Sequence, residues 1–202
     1  MKKRLFGYRA WRRLLGSAEG ATAIEFAILA VPFLMIVFAT FETFVAFTGE
    51  QVIANAVDTM ARQLKTGQIT YNLSRSTDMT QTQFRQAFCT QISLLITCST
   101  SEAATPAKLY IDLRQVTTFA SIPTTVPLKS TNGGKGKDLD TTGFAYTPGG
   151  AGTINMMRVY YRWSIMTDLV RPYISNIMPE GQSSGTQVLV VATTAFQNEN
   201  YP

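Results

Sequence analysis

The apolar pattern changes period once near the N-terminal end of the chain. Residues 21–48, ATAIEFAILAVPFLMIVFATFETFVAFT, are apolar on every helical face, and Glu25 and Glu42 are their only ionisable side chains. A helix of that length measures about 42 Å, against roughly 30 Å of bilayer hydrocarbon. Burying such a helix inside a soluble protein needs a much larger chain, so the run predicts a membrane span. After it the apolar positions thin to Ile53, Val57, Met60 and Leu64, with Val52, Ala56 and Ala61 beside them. Gln51, Asn55, Asp58, Arg62 and Lys65 take the intervening places, which is the signature of an amphipathic helix. Gly49 costs about 1 kcal/mol in a helix interior, too little to end one with strong signals on both sides. Gly67 is the better stop. One continuous helix over residues 21–66 is therefore expected.

Beyond Gly67 the signals alternate between helix and strand. Thr80 followed by Gln83 fits a capping box after a polar linker at 70–80, and Phe84, Phe88, Ile92 and Leu95 mark one face of a second helix. Leu109, Ile111 and Leu113 alternate with Tyr110, Asp112 and Arg114, a half-buried strand. Residues 121–152, rich in Thr, Gly, Pro and Lys, read as a long exposed loop. Met157, Val159, Tyr161, Trp163 and Ile165 alternate with Met156, Arg158, Tyr160, Arg162 and Ser164, again a half-buried strand. Residues 168–178 predict a short helix broken near Pro172, and 188–196 a strand buried on most of its surface. The fold class is α+β: a long N-terminal transmembrane helix continuing into a small exported domain, its antiparallel sheet packed on the amphipathic helix.

Charge orients this arrangement. Lys2, Lys3, Arg4, Arg9, Arg12 and Arg13 precede the span, with Glu19 the only acid among them. The positive-inside tendency places that end in the cytoplasm and all that follows the span outside it. Tyr8, Trp11, Leu14 and Leu15 suit the headgroup level, and Arg12-Arg13 serves topology better than twin-arginine export. Six of the 18 basic residues lie in this leader, leaving 12 from Glu50 onward; Glu19, Glu25 and Glu42 leave 10 of the 13 acidic ones there. The exported part is nearly neutral, and no nucleic-acid footprint remains. Its two cysteines, Cys89 and Cys98, are nine residues apart. In an oxidising compartment they are expected to close a small disulfide ring contributing about 2–3 kcal/mol, the alternatives being two free buried thiols or half a metal site.

Little catalytic chemistry is available. The chain has no histidine, the usual general base and zinc ligand. The run Gly133-Gly134-Lys135-Gly136-Lys137 lacks the spacing and the following Ser or Thr of a phosphate-binding loop, and Asp138 and Asp140 share the same exposed loop. No cofactor or metal is expected, and no enzyme.

The informative junction is Gly20-Ala21-Thr22-Ala23-Ile24-Glu25-Phe26. Glycine, then a glutamate in the fifth place after it at the head of an apolar helix, is the pattern cut by prepilin peptidases. Small residues let the backbone enter a membrane-embedded protease, and a cut after Gly20 would expose a cationic amine on Ala21. Glu25 lies one helical turn further, in reach of that amine or of a neighbouring subunit's. Alternatively, Glu25 is an interfacial charge favoured by the helix dipole. Glu42 lies 17 residues beyond Glu25, about 26 Å along a helix, so the two nearly bracket the hydrocarbon. It either sits at the outer interface or pairs with another subunit. Pro32 frees a backbone carbonyl, as a melting point for extraction from the membrane or as a tolerated kink.

Together the Gly20 junction, Glu25-Phe26-Ala27, Pro32, Glu42 and the Ala61-Arg62 pair resemble the TadE-like family of pseudopilins, over roughly residues 19–62. The ending Phe-Gln-Asn-Glu-Asn-Tyr-Pro is similar to the asparagine-glutamate ending common there. Glu19 departs from the pattern, in which a basic residue commonly precedes the glycine. The short exported part suits the TadE or TadF type rather than the longer TadG type, and major Flp pilins are far shorter. The resemblance implies a minor pilin-like subunit needed for Flp pilus assembly by the tight-adherence (Tad) machinery. Its implied partners are a prepilin peptidase, a sister pseudopilin and Flp pilin subunits, the inner-membrane Tad platform and the lipid bilayer. Expected divisions are a leader at 1–20, the span at 21–48, the amphipathic extension at 49–67 and a periplasmic α+β domain at 68–202. The competing reading is an uncleaved single-span anchor carrying a periplasmic binding module.

Overall fold

The computed structural model describes residues 18–167, 171–182, 184–185 and 187–201. The basic leader up to residue 17 and the start of the helix expected at 168 lie outside the described residues. The fold is α+β. A single helix of 48 residues, α1 (Ala18–Lys65), contains Pro32 and starts a little before the expected position. The division between two compact units falls inside it, between Glu42 and Thr43.

Past that division the helix behaves as its periodicity predicts. Ile53, Val57, Met60 and Leu64 are buried, with Ala56 and Ala61 beside them, while Gln51, Asn55, Asp58, Arg62 and Lys65 are exposed. Gly67 ends the helix in the left-handed region at φ 73°, where its N–H reaches the Leu64 carbonyl (3.2 Å) and that of Ile69 the Gln63 carbonyl (3.1 Å). Gly49 has a different purpose. A Cβ built there would lie 2.6 Å from Cζ3 of Trp163, so the indole occupies the space a side chain would take.

α2 (Gln81–Ile92) starts with the expected capping box: the Gln83 N–H donates to Thr80 Oγ1 (3.3 Å), and the Thr80 N–H to Gln83 Oε1 (2.8 Å). Phe84, Phe88 and Ile92 are buried, but Leu95 is 38% exposed and Ile96 takes its place in the core. The last turn explains this correction, because the Ile96 N–H still donates to the Ile92 carbonyl (3.0 Å), so the buried face continues four residues on, not three. Cys89 and Cys98 form a disulfide with their Cα atoms 5.6 Å apart. The chain then enters α3 (Thr100–Ala104), a short helix the pattern did not predict.

The main sheet contains β1 (Leu109–Val116), β4 (Tyr146–Thr147), β5 (Ile154–Ser164) and β6 (Gln187–Gln197), in the order β4-β1-β5-β6. β5 is antiparallel to both β1 and β6, with Val159 opposite Ile111 and Ala192. The two-residue β4 joins β1 in parallel. One face, built from Leu109, Ile111, Leu113, Met157, Val159, Val190, Ala192 and Phe196, shares a core with α1 and α2.

The opposite face is covered too, which corrects two expectations. Residues 121–152 are not a long exposed loop: they hold the antiparallel hairpin β2 (Leu128–Thr131) and β3 (Gly136–Leu139), and then β4. The hairpin turn needs the residue types found there, with Asn132, Gly133 and Gly134 at φ 52°, 66° and 91°. Leu139 then packs with Tyr160, Ile177 and Leu189 in a second cluster, where Phe144 stacks on Tyr160 at 4.9 Å. β5 is consequently buried on both faces over much of its length, not half-buried. Asp138 lies in β3, buried and paired with Arg162 at 2.9 Å, rather than in a solvated loop. Of the helix expected around Pro172, the described residues hold α4 (Arg171–Ile174).

Replacing Gly49 with alanine sets a helix-propensity gain of about 1 kcal/mol against an overpacking cost of about 1–3 kcal/mol at Trp163. The clash is expected to dominate, so Gly49→Ala lowers the denaturation midpoint of the detergent-solubilised protein, and adding Trp163→Leu recovers part of the loss. A higher midpoint for Gly49→Ala alone refutes the role given to Trp163.

Candidate processing and assembly segment

The junction residues Gly20 and Ala21 lie within the first turn of α1. The peptide bond expected to be cut is therefore helical, and a protease that reads extended chain must first unwind this turn. Glu25, four residues after Ala21, is exposed and has no ion-pair partner among the described residues. Phe26 follows it at 72% exposure, and Ile28, Leu29, Val31, Phe33, Ile36, Phe38 and Phe41 continue the exposed apolar surface. By length and composition this helix can cross a membrane.

Backbone and side-chain polarity along the run is largely satisfied internally. The Thr40 hydroxyl donates to the Ile36 carbonyl (2.8 Å) and the Thr48 hydroxyl to the Phe44 carbonyl (2.9 Å), as lipid surroundings require. Pro32 is the exception: it has no N–H, so the Ile28 carbonyl receives no bond from four residues on. Glu42 is half-buried and already takes part in an interaction. The structure thus strings Gly20, Ala21, Glu25, Phe26, Pro32 and Glu42 along one helix, and does not gather them into a pocket.

Residues 20–62 match the family model described as TadE-like protein. This segment is TadE-like. No curated protein and no solved structure matches the chain. The TadE-like match starts at the junction glycine, crosses the whole apolar run and stops at Arg62, one turn before α1 ends.

The end of α1 carries a feature that sequence reasoning noticed only as a familiar ending. The Glu199 N–H donates to the Lys65 carbonyl (2.9 Å), satisfying one of the last helical acceptors. Asn198 is buried, and its side-chain amide donates to the carbonyls of Gly149 (2.8 Å) and Gly150 (2.9 Å) and to the Tyr201 hydroxyl (3.0 Å). The Tyr201 ring lies over Gly67, where a Cβ would approach its Cγ to 2.7 Å, and the Arg75 guanidinium stands 5.6 Å from the ring centroid. The asparagine-glutamate ending is therefore a clasp that holds the end of α1 against the sheet. A resemblance of endings signalled that these residues mattered, but not what they touch.

The 70–80 linker is held beside it by one carboxylate. Asp78 accepts from the Thr70 hydroxyl (2.5 Å) and from the backbone N–H groups of Leu73 (2.9 Å) and Arg75 (3.2 Å). The Thr70 hydroxyl first, and the Arg75 and Leu73 amides after it, hold the Asp78 carboxyl below its usual range against a smaller opposing effect of burial. Other candidate chemistry disperses. Among the described residues no group of three or more His, Cys, Asp or Glu is placed to hold a metal. The glycine-lysine run forms the β2–β3 turn beside an open cleft of about 310 Å³.

Because the folded carboxyl of Asp78 titrates lower than the unfolded one, its contribution is complete above about pH 3.9 and is lost as pH falls through the folded value. The stability difference between wild type and Asp78→Asn is thus expected to be constant near neutrality and to shrink below about pH 4. Denaturant titrations at a series of pH values check this; a difference unchanged in strong acid refutes it.

Proposed function

We propose that the chain is a minor pilin-like subunit, a pseudopilin needed for assembly of Flp-type pili by the tight-adherence machinery. In this reading a prepilin peptidase cuts after Gly20 and removes the basic leader. α1 anchors the product once across the inner membrane, with its N-terminal end cytoplasmic and the sheet domain periplasmic. Residues 21–48 are the span, 49–67 the spine of the domain, and 68–202 the domain itself. A sister pseudopilin, Flp pilin subunits and the membrane platform are the partners.

The observation that carries the reading is Glu25, an exposed carboxylate without an ion-pair partner among the described residues, near the start of an apolar TadE-like helix. A carboxylate inside a bilayer needs a counter-charge. The amine freed on Ala21, about 6 Å away along the helix axis, or that of an adjacent subunit, supplies one. Pro32 weakens the helix between Glu25 and Glu42, where the segment must leave lipid for a helical assembly.

One observation favours the alternative of an uncleaved anchor bearing a periplasmic binding module: α1 runs unbroken through the junction from Ala18. N-terminal sequencing of the membrane-extracted protein, from cells containing the peptidase, separates the two. A start at Ala21 is expected, and an intact Met1 start overturns processing. Gly20→Phe is expected to block the cut. Glu25→Ala is expected to be cut normally but to abolish most piliation, and normal piliation in that variant removes the pairing role.

A further inference from the structure

Among the described residues outside α1, three large apolar side chains are far more exposed than the rest: Met166 at 90%, Leu94 at 88% and Tyr173 at 87%, with Phe119 next at 52%. Scattered apolar exposure needs no explanation, but these three gather at one end of the sheet. Trp163, near the end of β5, packs on Gly49 of α1, which marks that end as the one next to residues 43–49 of the helix. The clasp on Lys65 marks the opposite end, about 24 Å further along α1. Just past Trp163 the buried Ile165 pins the chain, and Met166 follows it. α4 folds back on this stretch: the Arg171 N–H donates to the Thr167 carbonyl (3.2 Å) and its Nη2 to the Ile165 carbonyl (3.4 Å). Tyr173 and the partly exposed Ile174 are thereby held close to Met166. Leu94 is in the disulfide-closed loop leading to α3, whose Glu102 carboxylate accepts from the amides of Ala107, Lys108 and Leu109 where β1 begins. The start of β1 pairs with Tyr161 of β5, so Leu94 belongs to the same end.

At that end α1 itself presents Phe44, Val45 and Phe47, exposed at 66%, 39% and 58%. We propose that Met166, Tyr173 and Leu94 form a lip that enters the headgroup layer of the bilayer α1 spans, seating the sheet domain on the outer leaflet. This rests on reading α1 as a membrane anchor. The occupant follows from continuity: the apolar surface of residues 44–47 runs towards the lip, and whatever solvates Phe44 and Phe47 solvates its neighbours. The residue types agree. Tyrosine and tryptophan favour the interface, where an apolar ring meets lipid and a polar tip meets water, and methionine adapts to a disordered surface. Exposed Lys108, at the head of β1, adds a basic charge suited to anionic headgroups. The lip fixes how far residues 43–48 emerge from lipid, and so the height of the domain above the membrane.

Depth measurements on the full chain in phosphatidylethanolamine–phosphatidylglycerol vesicles test this. Cys89 and Cys98 are bonded to each other, so an introduced cysteine is the free thiol for a nitroxide label. Labels on Met166→Cys and Tyr173→Cys are expected to lose most of their accessibility to an aqueous nickel complex while keeping that to oxygen. A label on Asn200→Cys, at the clasp end, stays fully accessible to nickel, and one on Phe38→Cys reads as deep. Lip labels as open to nickel as the Asn200 label, with Phe38 still deep, overturn the lip alone. Lip labels shielded from both reagents, with dipolar broadening between copies, overturn it in favour of a protein contact. A shallow Phe38 label overturns the anchor reading and the lip with it.

Discussion

One helix has to satisfy two surroundings. Along α1 the side chains from Phe26 to Phe41 are exposed, and further on Ile53, Val57, Met60 and Leu64 are buried against a sheet. A water-exposed surface of that length would be ruinous for a soluble chain; lipid would remove the difficulty at little cost to a backbone whose groups, the Ile28 carbonyl before Pro32 apart, can bond within the helix. The same continuity constrains the sheet domain. It must pack on a cylinder it does not terminate, which explains why Gly49, at the level where packing begins, yields its side-chain space to Trp163.

The rest of the domain is joined by polar groups that a periodicity argument assigns to the surface. Arg85 is buried on α2, donating through Nε to the Ala103 carbonyl (2.9 Å) and through Nη2 to those of Glu102 (2.6 Å) and Leu109 (2.8 Å). It thereby ties α2 to α3 and β1. On the far face Asp112 accepts from Arg114 (2.6 Å) and from the Ala145 N–H (3.1 Å), while Arg158 donates to Thr193 (2.9 Å) and to the carbonyls of Thr125 (3.0 Å) and Pro123. Buried ion pairs seldom add much net stability, because desolvation offsets their attraction. Here the guanidinium groups mostly satisfy main-chain carbonyls of α3, of the start of β1 and of the segment before β2, which would otherwise be costly to bury.

These two features divide the functional burden. The TadE-like match covers residues 20–62, most of α1, and none of the sheet. The sheet domain contributes its placement: the clasp at Lys65 fixes one end of the spine, and Trp163 on Gly49 fixes the other.

The long helix, its amphipathic extension, the Thr80 cap, the strands around Ile111, Val159 and Val190, and the cysteine pair were all legible in the sequence. Each depends on local periodicity, capping chemistry or short separation, which neighbouring residues express directly. What tertiary structure alone decided has one common cause. Residues 128–139 look like loop because their apolar content is low, yet Leu139, assisted by Tyr160 and Leu189, covers the second face of β5 and makes a half-buried pattern fully buried. Asp112, Asp138 and Arg158 were read as outward-facing because a charge carries no mark in the sequence of the carbonyl or counter-ion that will meet it. Asn198 is the clearest instance: its partners lie 48 and 49 residues away in Gly150 and Gly149, and only the folded sheet brings them within hydrogen-bonding distance.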